Sequence, residues 1–419
     1  MTDNEKHIPA GYKLSPLGPI PEDWEVKRLE CAFHLQGGFA FKSEEYRDSG
    51  IPIIRISNLP QNGKYVDIND CVYSDKNDIS KQFHIGCDDL LIAMSGATTG
   101  KVAVYKDKNR AYLNQRVGLF KQTSSEIIYQ YLTFLVTSDM YSNQLKPLLI
   151  AGAQPNIAPT DIESLRFPIP PVKEQERICN VLQLWDTAIA KQAQLVEKLT
   201  LRKRGLMQQL LTGKKRLKGF GGEWKHIKLG NIAERITRKN EEDNKNVVTI
   251  SAQRGFVVQT DFFNKSVASE VLDNYYLVHK DEFCYNKSYS NGYPMGAIKR
   301  LKTFDKAVVT TLYICFKLKE KPKTNIDFFE QYSESGLLNK ELVKVANEGG
   351  RAHGLLNVTP DDFFNMHMNV PTIEEQNAIA SVLVDVDNEI ELANKKLSQL
   401  QAQKRGLMQV LLTGKKRVK

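Results

Sequence analysis

The chain has 419 residues, which at roughly 100–200 residues per domain predicts two or three domains. Its apolar content of 41% and charged content of 26% are typical of a soluble globular protein, and the lack of any run of roughly 20 apolar residues excludes a membrane-spanning helix. The net charge of +9 permits nucleic acid as a partner without requiring it.

The chain begins with a polar segment, Met1–Lys6, which predicts no secretory signal and therefore a cytoplasmic location. Residues 22–168 alternate short apolar runs, such as IPIIRISNL, DLLIAM and RVGLFKQ, with Gly, Asn and Asp. Residues 224–370 repeat this alternation with VVTISAQ and VVTTLYICFKL. Both segments also contain helical patterns, near Ile127–Val136 and Phe328–Val345. We therefore expect two globular domains of the α/β or mixed α+β class.

A long helix is predicted after each globular segment. Apolar residues within 178–210 and 379–411 step alternately by four and three, which is the heptad pattern of a coiled coil. Each helix would contain about 40 residues and extend about 60 Å. We expect the two helices to pair antiparallel, with a globular domain at each end of the pair. The alternative is that each apolar stripe packs on its own globular domain.

The two halves form an internal repeat. Lys203–Lys218 reads KRGLMQQLLTGKKRLK, and Lys404–Lys419 reads KRGLMQVLLTGKKRVK. Gly205 and Gly406, inside the predicted helices, indicate a close helix approach or a shared break. The basic ends favour contact with protein or nucleic acid. The repeat predicts a first domain (1–168), a central helical region (169–218), a second domain (219–369) and a C-terminal helical region (370–419).

Motifs for catalysis are incomplete. The segment Gly96–Lys101 has one residue too few for a phosphate-binding loop, and Val102 stands where Ser or Thr would hold magnesium. Pro170-Pro171 is followed by Val172, which does not fit an amino-methyltransferase motif. The scattered histidines and six cysteines have no metal-site spacing. We therefore predict a chain that is not an enzyme and holds no metal or cofactor.

Several polar loops are suited to binding. In the first half these are the segments at 37–42, 95–101 and 114–116, and in the second half those at 287–293 and 349–354. Asn and Gln side chains can read adenine, Arg and Lys can read guanine, and Ser and Thr reach phosphates. Two such domains on repeated helices predict bipartite recognition of a DNA duplex.

The order of these segments resembles the specificity subunit of type I restriction–modification enzymes over nearly the whole chain. The likeness rests on GYKLSPLGPIPEDWEVKRL, GGFAFKS, DDLLIAMSGATTGKVAV, YLNQRVGLF, QPNIAPTDIESLRFPIPP and the duplicated helices that contain EQ and LLTGKKR. The resemblance implies two target-recognition domains, each reading half of a split, asymmetric DNA sequence. It implies helical regions that set the spacer and dock two methyltransferase subunits, which bind S-adenosylmethionine. Two further motor–nuclease subunits would use ATP and magnesium.

The resemblance also assigns candidate residues. The DNA-facing positions expected in the first domain are Lys42, Arg55, Ser95, Thr98, Lys101, Asn114, Gln115 and Arg116. The second domain lacks the Gly-Lys pair of the first, and its candidates are Lys287, Ser290, Asn291, Tyr293, Arg300, Arg351 and His353. The expected subunit contacts are Leu206, Met207, Leu210, Leu407, Met408 and Leu411. The alternative function is a non-catalytic coiled-coil scaffold or regulator whose domains bind protein.

Overall fold

A computed structural model describes residues 8–60, 64–150, 156–259, 272–321, 323–348 and 356–418. The chain forms two units with separate cores. Unit 1 comprises Met1–Lys191 and Lys396–Lys419, and unit 2 comprises Gln192–Lys395. None of the helices in the described ranges combines the length and the apolar character that a membrane crossing requires.

Unit 1 contains two four-stranded sheets and two strand pairs. Its strands are β1 (Tyr12–Ser15), β2 (Gly18–Pro21), β3 (Glu25–Arg28), β4 (Phe33–Gly37), β5 (Ile51–Ile54), β6 (Val72–Ser74), β7 (His84–Ile85), β8 (Leu90–Ala93), β9 (Val102–Val104), β10 (Ala111–Leu113), β11 (Val117–Gln122) and β12 (Arg166–Ile169). The sheet orders are β6-β5-β10-β7 and β4-β11-β8-β9, and the pairs are β1-β2 and β12-β3. Its helices are α1 (Tyr129–Leu135), α2 (Asp139–Ile150), α3 (Pro159–Glu163) and the start of α4 (Val172–Leu210).

Unit 2 repeats much of this topology, with one four-stranded sheet and four strand pairs in its described residues. Its strands are β13 (Lys225–Lys228), β14 (Ala233–Ile236), β15 (Val248–Ser251), β16 (Gly255–Val258), β17 (Tyr276–His279), β18 (Phe283–Asn286), β19 (Ala297–Arg300), β20 (Lys306–Val309), β21 (Ile314–Leu318), β22 (Asn347–Glu348), β23 (Leu356–Asn357) and β24 (His367–Val370). Its helices are α5 (Leu229–Ile232), α6 (Ile326–Glu334), α7 (Asn339–Val345), α8 (Pro360–Asn365) and most of α9 (Ile373–Leu411).

Corresponding strands of the two units are paired in the same order. The sheet β14-β21-β18-β19 matches β4-β11-β8-β9, and the pair β13-β24 matches β3-β12. The pairs β15-β16 and β17-β20 are joined by a parallel bridge between Val247 and Val308, which matches the parallel pairing of β5 with β10. The predicted mixed α/β class and the internal repeat are therefore confirmed, although the two globular sequences differ.

The central strand β8 explains why its sequence, LLIA, is apolar throughout. Leu90 and Ile92 face a core shared with the helices, while Leu91 and Ala93 face a second core between the sheets. A strand covered on both faces loses the apolar–polar alternation of a half-exposed strand. In unit 2, β18 divides its side chains between two cores in the same way.

The two long helices each have 39 residues and pack together in antiparallel directions within each unit. In unit 1, Asp186 of α4 pairs with Lys404 of α9 at 2.7 Å. In unit 2, the repeat-related residues Lys203 and Asp387 pair at 2.6 Å. The predicted antiparallel pairing is confirmed, and the alternative that each stripe packs only on its own domain is wrong.

Each unit is completed by the far end of a long helix. The unit 1 core contains Ile178 and Leu182 from α4 together with Leu411 and Leu412 from α9. The unit 2 core contains Leu383 from α9, and it is joined there by Leu210 and Leu211 of α4. The heptad stripe therefore continues into core packing at both ends of each helix.

One arginine in each basic segment after the helices pairs with carboxylates of its own unit. In unit 1, the Arg417 guanidinium donates to both oxygens of buried Glu174, from Nε at 3.1 Å and from Nη2 at 2.5 Å. It also donates to both oxygens of Asp23, each at 2.7 Å. The indole Nε1 of Trp24 also donates to Glu174, at 3.0 Å. These hydrogen bonds raise the pKa of Arg417, since Glu174 and Asp23 both stabilise its charged form.

In unit 2, Arg216 makes the equivalent contact with Glu375, and its guanidinium lies 5.7 Å from the Trp224 ring. For these two arginines, the expected external contact of the basic ends is wrong, because their charges neutralise buried carboxylates of this chain.

Neither helical glycine marks a break or a close contact. Helices α4 and α9 continue through Gly205 and Gly406, and no described atom outside the adjoining turns of the same helix lies within 4 Å of where a Cβ would stand at either position. The predicted close approach or break at these glycines is therefore wrong for the described residues.

Candidate nucleic-acid interface

Four loops of unit 1 are joined by backbone hydrogen bonds into what we call the first loop cluster. The cluster comprises the loops at 38–42, 55–58, 94–101 and 114–116. Phe39 N donates to Leu113 O at 2.8 Å, Asn114 N to Ile54 O at 3.1 Å and Met94 N to Arg116 O at 2.9 Å. Because these bonds connect the ends of five strands, the loops form one continuous surface held by both sheets.

Close backbone packing fixes the shape of the first loop cluster. A Cβ at Gly38 would stand 2.2 Å from Asn114 O, so that only glycine fits. The Thr98 hydroxyl donates to Ile56 O at 3.2 Å and ties the β8–β9 hairpin to the loop after β5. A rigid cluster of this kind can present side chains in a defined geometry.

The eight candidates of the first domain differ in exposure. Lys42, Lys101, Gln115 and Arg116 are exposed, and Arg55 is half-buried with its guanidinium 5.7 Å from the Tyr46 ring. The exposed residues bring two lysines, one amide and one arginine to the cluster. These groups can bind phosphate oxygens and base edges.

Three first-domain candidates are less accessible than the four exposed ones, and their contact with DNA stays a prediction. Asn114 is 7% exposed, and its Oδ1 accepts a bond from Arg116 N at 3.4 Å. The Ser95 hydroxyl is buried without a hydrogen-bond partner in the described residues. The Thr98 hydroxyl is used within the cluster. The side chains of Asn114 and Thr98 therefore help to hold the loops, whereas the Ser95 hydroxyl supports no other group in the described residues.

Unit 2 has a second loop cluster at the topologically equivalent position. It comprises the loop at 252–254, the hairpin at 287–296 and the turn at 310–313. Asn286 Nδ2 donates to Ile250 O at 3.2 Å, and the Tyr313 hydroxyl lies 3.1 Å from Thr249 Oγ1. The three segments therefore converge on the end of β15, as the loops of unit 1 converge on the end of β5.

The second-domain candidates are divided by the structure. Lys287, Ser290 and Asn291 lie in the second loop cluster, where partial burial lowers the pKa of Lys287. The Tyr293 hydroxyl donates to Glu334 at 2.8 Å, so its polar group is already bound within the unit. Arg351 and His353 lie outside the described residues.

Arg300 is a structural residue, and its predicted DNA contact is corrected. Its side chain is 12% exposed and pairs with Asp281, Asp327 and Glu330 at 2.6, 2.7 and 3.3 Å. Burial lowers the pKa of Arg300, but the hydrogen bonds to these carboxylates outweigh burial and raise it. The three carboxylates compensate the charge of this guanidinium within the unit, which weakens its attraction for phosphate.

Two parts of the second loop cluster were missed by sequence reasoning. Gln253 and Arg254 are exposed after β15, and Thr311 and Leu312 are exposed between β20 and β21. The sequence does contain a signal for the turn, which is the spacing of the apolar runs. Thr310–Tyr313 separates two apolar runs in VVTTLYICF, just as Asn114–Arg116 separates two apolar runs in AYLNQRVGLF. Side-chain types differ completely between the two turns, which hid the correspondence.

The expected subunit contacts are mostly core residues. Leu210, Met408 and Leu411 are 2%, 7% and 2% exposed and lie in the cores of their own units, so that no surface remains for another subunit and the prediction is corrected for these three. Leu206, Met207 and Leu407 are half-buried against the same cores. Their contact with a partner stays a prediction.

Among the described residues, no group of three or more His, Cys, Asp or Glu side chains is placed to hold a metal ion. The described cysteines are all free thiols, and Cys284 and Cys315 face each other across β18 and β21 inside a core.

Comparisons with known proteins agree with this architecture. The chain matches the family model for the type I restriction modification DNA specificity domain twice, over residues 21–201 and 221–402. It is similar to the type I restriction enzyme MjaVIII specificity subunit of Methanocaldococcus jannaschii, at 30% identity over half the length of each chain. It is also similar to the putative MjaX specificity subunit of that organism, at 28% identity over 97% of both chains.

A solved structure has a similar fold. It is the crystal structure of the S subunit of a type I restriction-modification system from M. genitalium, with a TM-score of 0.55 and 16% sequence identity. The likeness covers 96% of this chain and 98% of that one.

Proposed function

Because the chain belongs to the family of type I restriction–modification DNA specificity subunits, we propose that it reads a bipartite, asymmetric DNA target with one half-site for each unit. The first loop cluster contacts one half-site and the second loop cluster contacts the other. The chain supplies recognition and carries out no chemistry itself. Two methyltransferase subunits that bind S-adenosylmethionine, and two motor–nuclease subunits that use ATP and magnesium, are its proposed partners.

The proposal rests on one observation: the two units share a scaffold of strands, but the side chains of their loops differ. Both units have the same strand order, but the turn Asn114–Arg116 of unit 1 is replaced by Thr310–Tyr313 in unit 2. Two equivalent surfaces with different side chains are suited to two half-sites of different sequence. Identical surfaces would instead read a symmetric target.

The first loop cluster offers both kinds of contact that DNA recognition uses. Lys42 and Lys101 are exposed cations suited to phosphate oxygens. Gln115 and Arg116 extend from a turn fixed by Asn114, and their amide and guanidinium match the major-groove edges of adenine and guanine. Arg55 is held against Tyr46, which reduces the entropy that it would lose on binding a base.

The helices are proposed to set the spacer between the half-sites and to dock the methyltransferase subunits. The half-buried residues Leu206, Met207 and Leu407 border exposed helix faces, and the exposed Arg204 and Arg405 lie beside them in equivalent positions. A surface repeated in both units is suited to two copies of one partner.

The test of the proposed function is a genome-wide map of methylated adenine with the gene intact and deleted. Loss of one split motif upon deletion is expected. Replacing residues 22–168 with the recognition domain of another family member should change one half-site and leave the other. An unchanged map while the neighbouring methyltransferase is expressed would refute the proposal, and a change in both half-sites would refute the assignment of one half-site to each unit.

A heptad deletion tests the spacer. Removing seven residues from an exposed, mid-helix stretch of α4 should change the spacer length of the methylated motif while both half-sites remain readable. An unchanged spacer in a folded variant would contradict the role proposed for the helices.

A further inference from the structure

The turn Thr310–Tyr313 in the second loop cluster presents a large apolar side chain to solvent. Leu312 is 57% exposed, and Thr311 beside it is exposed. The equivalent turn of unit 1 presents the polar side chains of Gln115 and Arg116. The exposed leucine is thus located at a position where the other unit offers hydrogen-bonding groups.

The turn is built to hold Leu312 outwards. The Thr310 hydroxyl accepts a bond from Leu312 N at 3.3 Å, and Thr310 O accepts one from Tyr313 N at 3.3 Å. Tyr313 anchors the turn to β15, since its hydroxyl lies 3.1 Å from Thr249 Oγ1 and accepts from Ile250 N at 3.4 Å. These bonds fix Thr310 and Tyr313 at the two ends of the turn, with Leu312 exposed between them.

A second apolar group lies in the same cluster. Tyr289, in the hairpin at 287–296, is 64% exposed. Asn286, at the start of this hairpin, bonds to Ile250 O, the same strand end that receives Tyr313. The second loop cluster therefore combines polar groups with exposed apolar side chains on one surface.

On this basis we propose that Leu312 reads the second half-site through apolar contact with the C5 methyl group of a thymine. This inference rests on the proposed function, in which the cluster faces DNA. In the major groove the thymine methyl is the apolar group that a base edge presents, and apolar side chains recognise it. The two units then use different chemistry, hydrogen bonds to purine edges in unit 1 and methyl contact in unit 2.

The test removes that methyl group from the DNA. Once the methylation map has given the target, and exchange of residues 22–168 has identified the half-site of unit 1, each thymine of the other half-site is replaced in turn by deoxyuridine. Binding of the complex with its methyltransferase subunits is then measured. The expected loss is roughly fourfold at one position, since burying one methyl group is worth about 0.8 kcal/mol and 1.4 kcal/mol corresponds to a factor of ten.

Variants locate the contact. The complex with Leu312→Ala should bind thymine and uracil DNA equally at that position, whereas Leu312→Met, which keeps an apolar side chain, should retain the discrimination. Leu14→Ala is the matched control, because Leu14 is 63% exposed on β1 of unit 1 and should leave discrimination unchanged.

Three outcomes would overturn the inference: a second half-site without thymine, equal binding of thymine and uracil DNA at every position, or equal discrimination by the wild type and Leu312→Ala. Failure of the proposed function is distinguishable, because it would appear earlier as an unchanged methylation map.

Discussion

The ion pair between Arg417 and Glu174 gives the sharpest prediction about stability. Arg417→Met removes the guanidinium and leaves the Glu174 carboxylate, whose side chain is 7% exposed, without a countercharge. Removing one partner of a buried pair costs about 3–5 kcal/mol. The Arg417 side chain is 32% exposed and Trp24 still donates to Glu174, so the expected loss of unfolding free energy is smaller than that range, about 2–3 kcal/mol.

The assay is urea unfolding followed by hydrogen exchange, which reports on the two units separately. Amides of unit 1 should lose protection in Arg417→Met. Lys416→Met is the matched control, because Lys416 is exposed and its loss should change stability by less than about 0.5 kcal/mol. The double variant Arg417→Met, Glu174→Gln should recover more than half of the loss, since it removes the buried charge. A loss below about 0.5 kcal/mol, or no recovery in the double variant, would refute the reasoning.

Three further predictions concern charge, DNA contact and helix propensity. The hydrogen bond from Arg417 lowers the pKa of Asp23 below its ordinary 3.8. This pair should therefore stabilise unit 1 by less than about 1 kcal/mol above pH 4 and lose that contribution as pH falls through the lowered pKa. Urea titrations at pH 6 and pH 3 would check this, and Arg417→Met should make the difference in unfolding free energy between the two pH values smaller, whereas an unchanged difference would contradict the assignment. Arg116→Ala should weaken DNA binding by about 1–3 kcal/mol and relax one base of the first half-site in the methylation map, and an unchanged motif would contradict base contact. Gly205→Ala should raise the unfolding free energy by about 1 kcal/mol in urea titration, since the Cβ position is open, and a loss would contradict that geometry.

The elements that could be predicted from the sequence were those with a local pattern. The long helices follow from a stripe that recurs every three or four residues, and their 39-residue lengths agree with the predicted 40. Their antiparallel pairing followed from the repeat. The division of each stripe between helix pairing and core packing could not be predicted, because Leu182 and Leu411 satisfy the same apolar pattern whichever surface covers them.

Charges were harder to interpret than apolar residues. Arg216 stands in a basic run, and its partner Glu375 is 159 residues away, so that no local pattern connects them. Arg300 was assigned to DNA for its residue type, but the carboxylates that neutralise it come from α6 and from the loop before β18. An ion pair between distant segments depends on the topology, and the topology of these sheets could not be derived from the sequence.

The candidate site was predictable where short polar segments lie between apolar strands. The segments predicted at 95–101 and 114–116 are loops in the structure, but the exposure of individual residues could not be predicted. Asn114 and Ser95 are residue types that commonly bind DNA, yet the Asn114 side chain and the Ser95 hydroxyl are buried. In unit 2 the turn with Leu312 has no run of polar residues, so the sequence alone does not indicate a binding loop there.

The order in which the chain segments of the two units are translated has a consequence for folding on the ribosome. Unit 2 is drawn from one continuous stretch, Gln192–Lys395, whereas unit 1 needs Lys396–Lys419 as well as Met1–Lys191. At about 5–20 residues per second, the nascent unit 1 would wait roughly 10–40 seconds for the helix end that covers Ile178 and Leu182. The half translated first is thus finished last, and its exposed apolar surface during that interval is a natural substrate for chaperones.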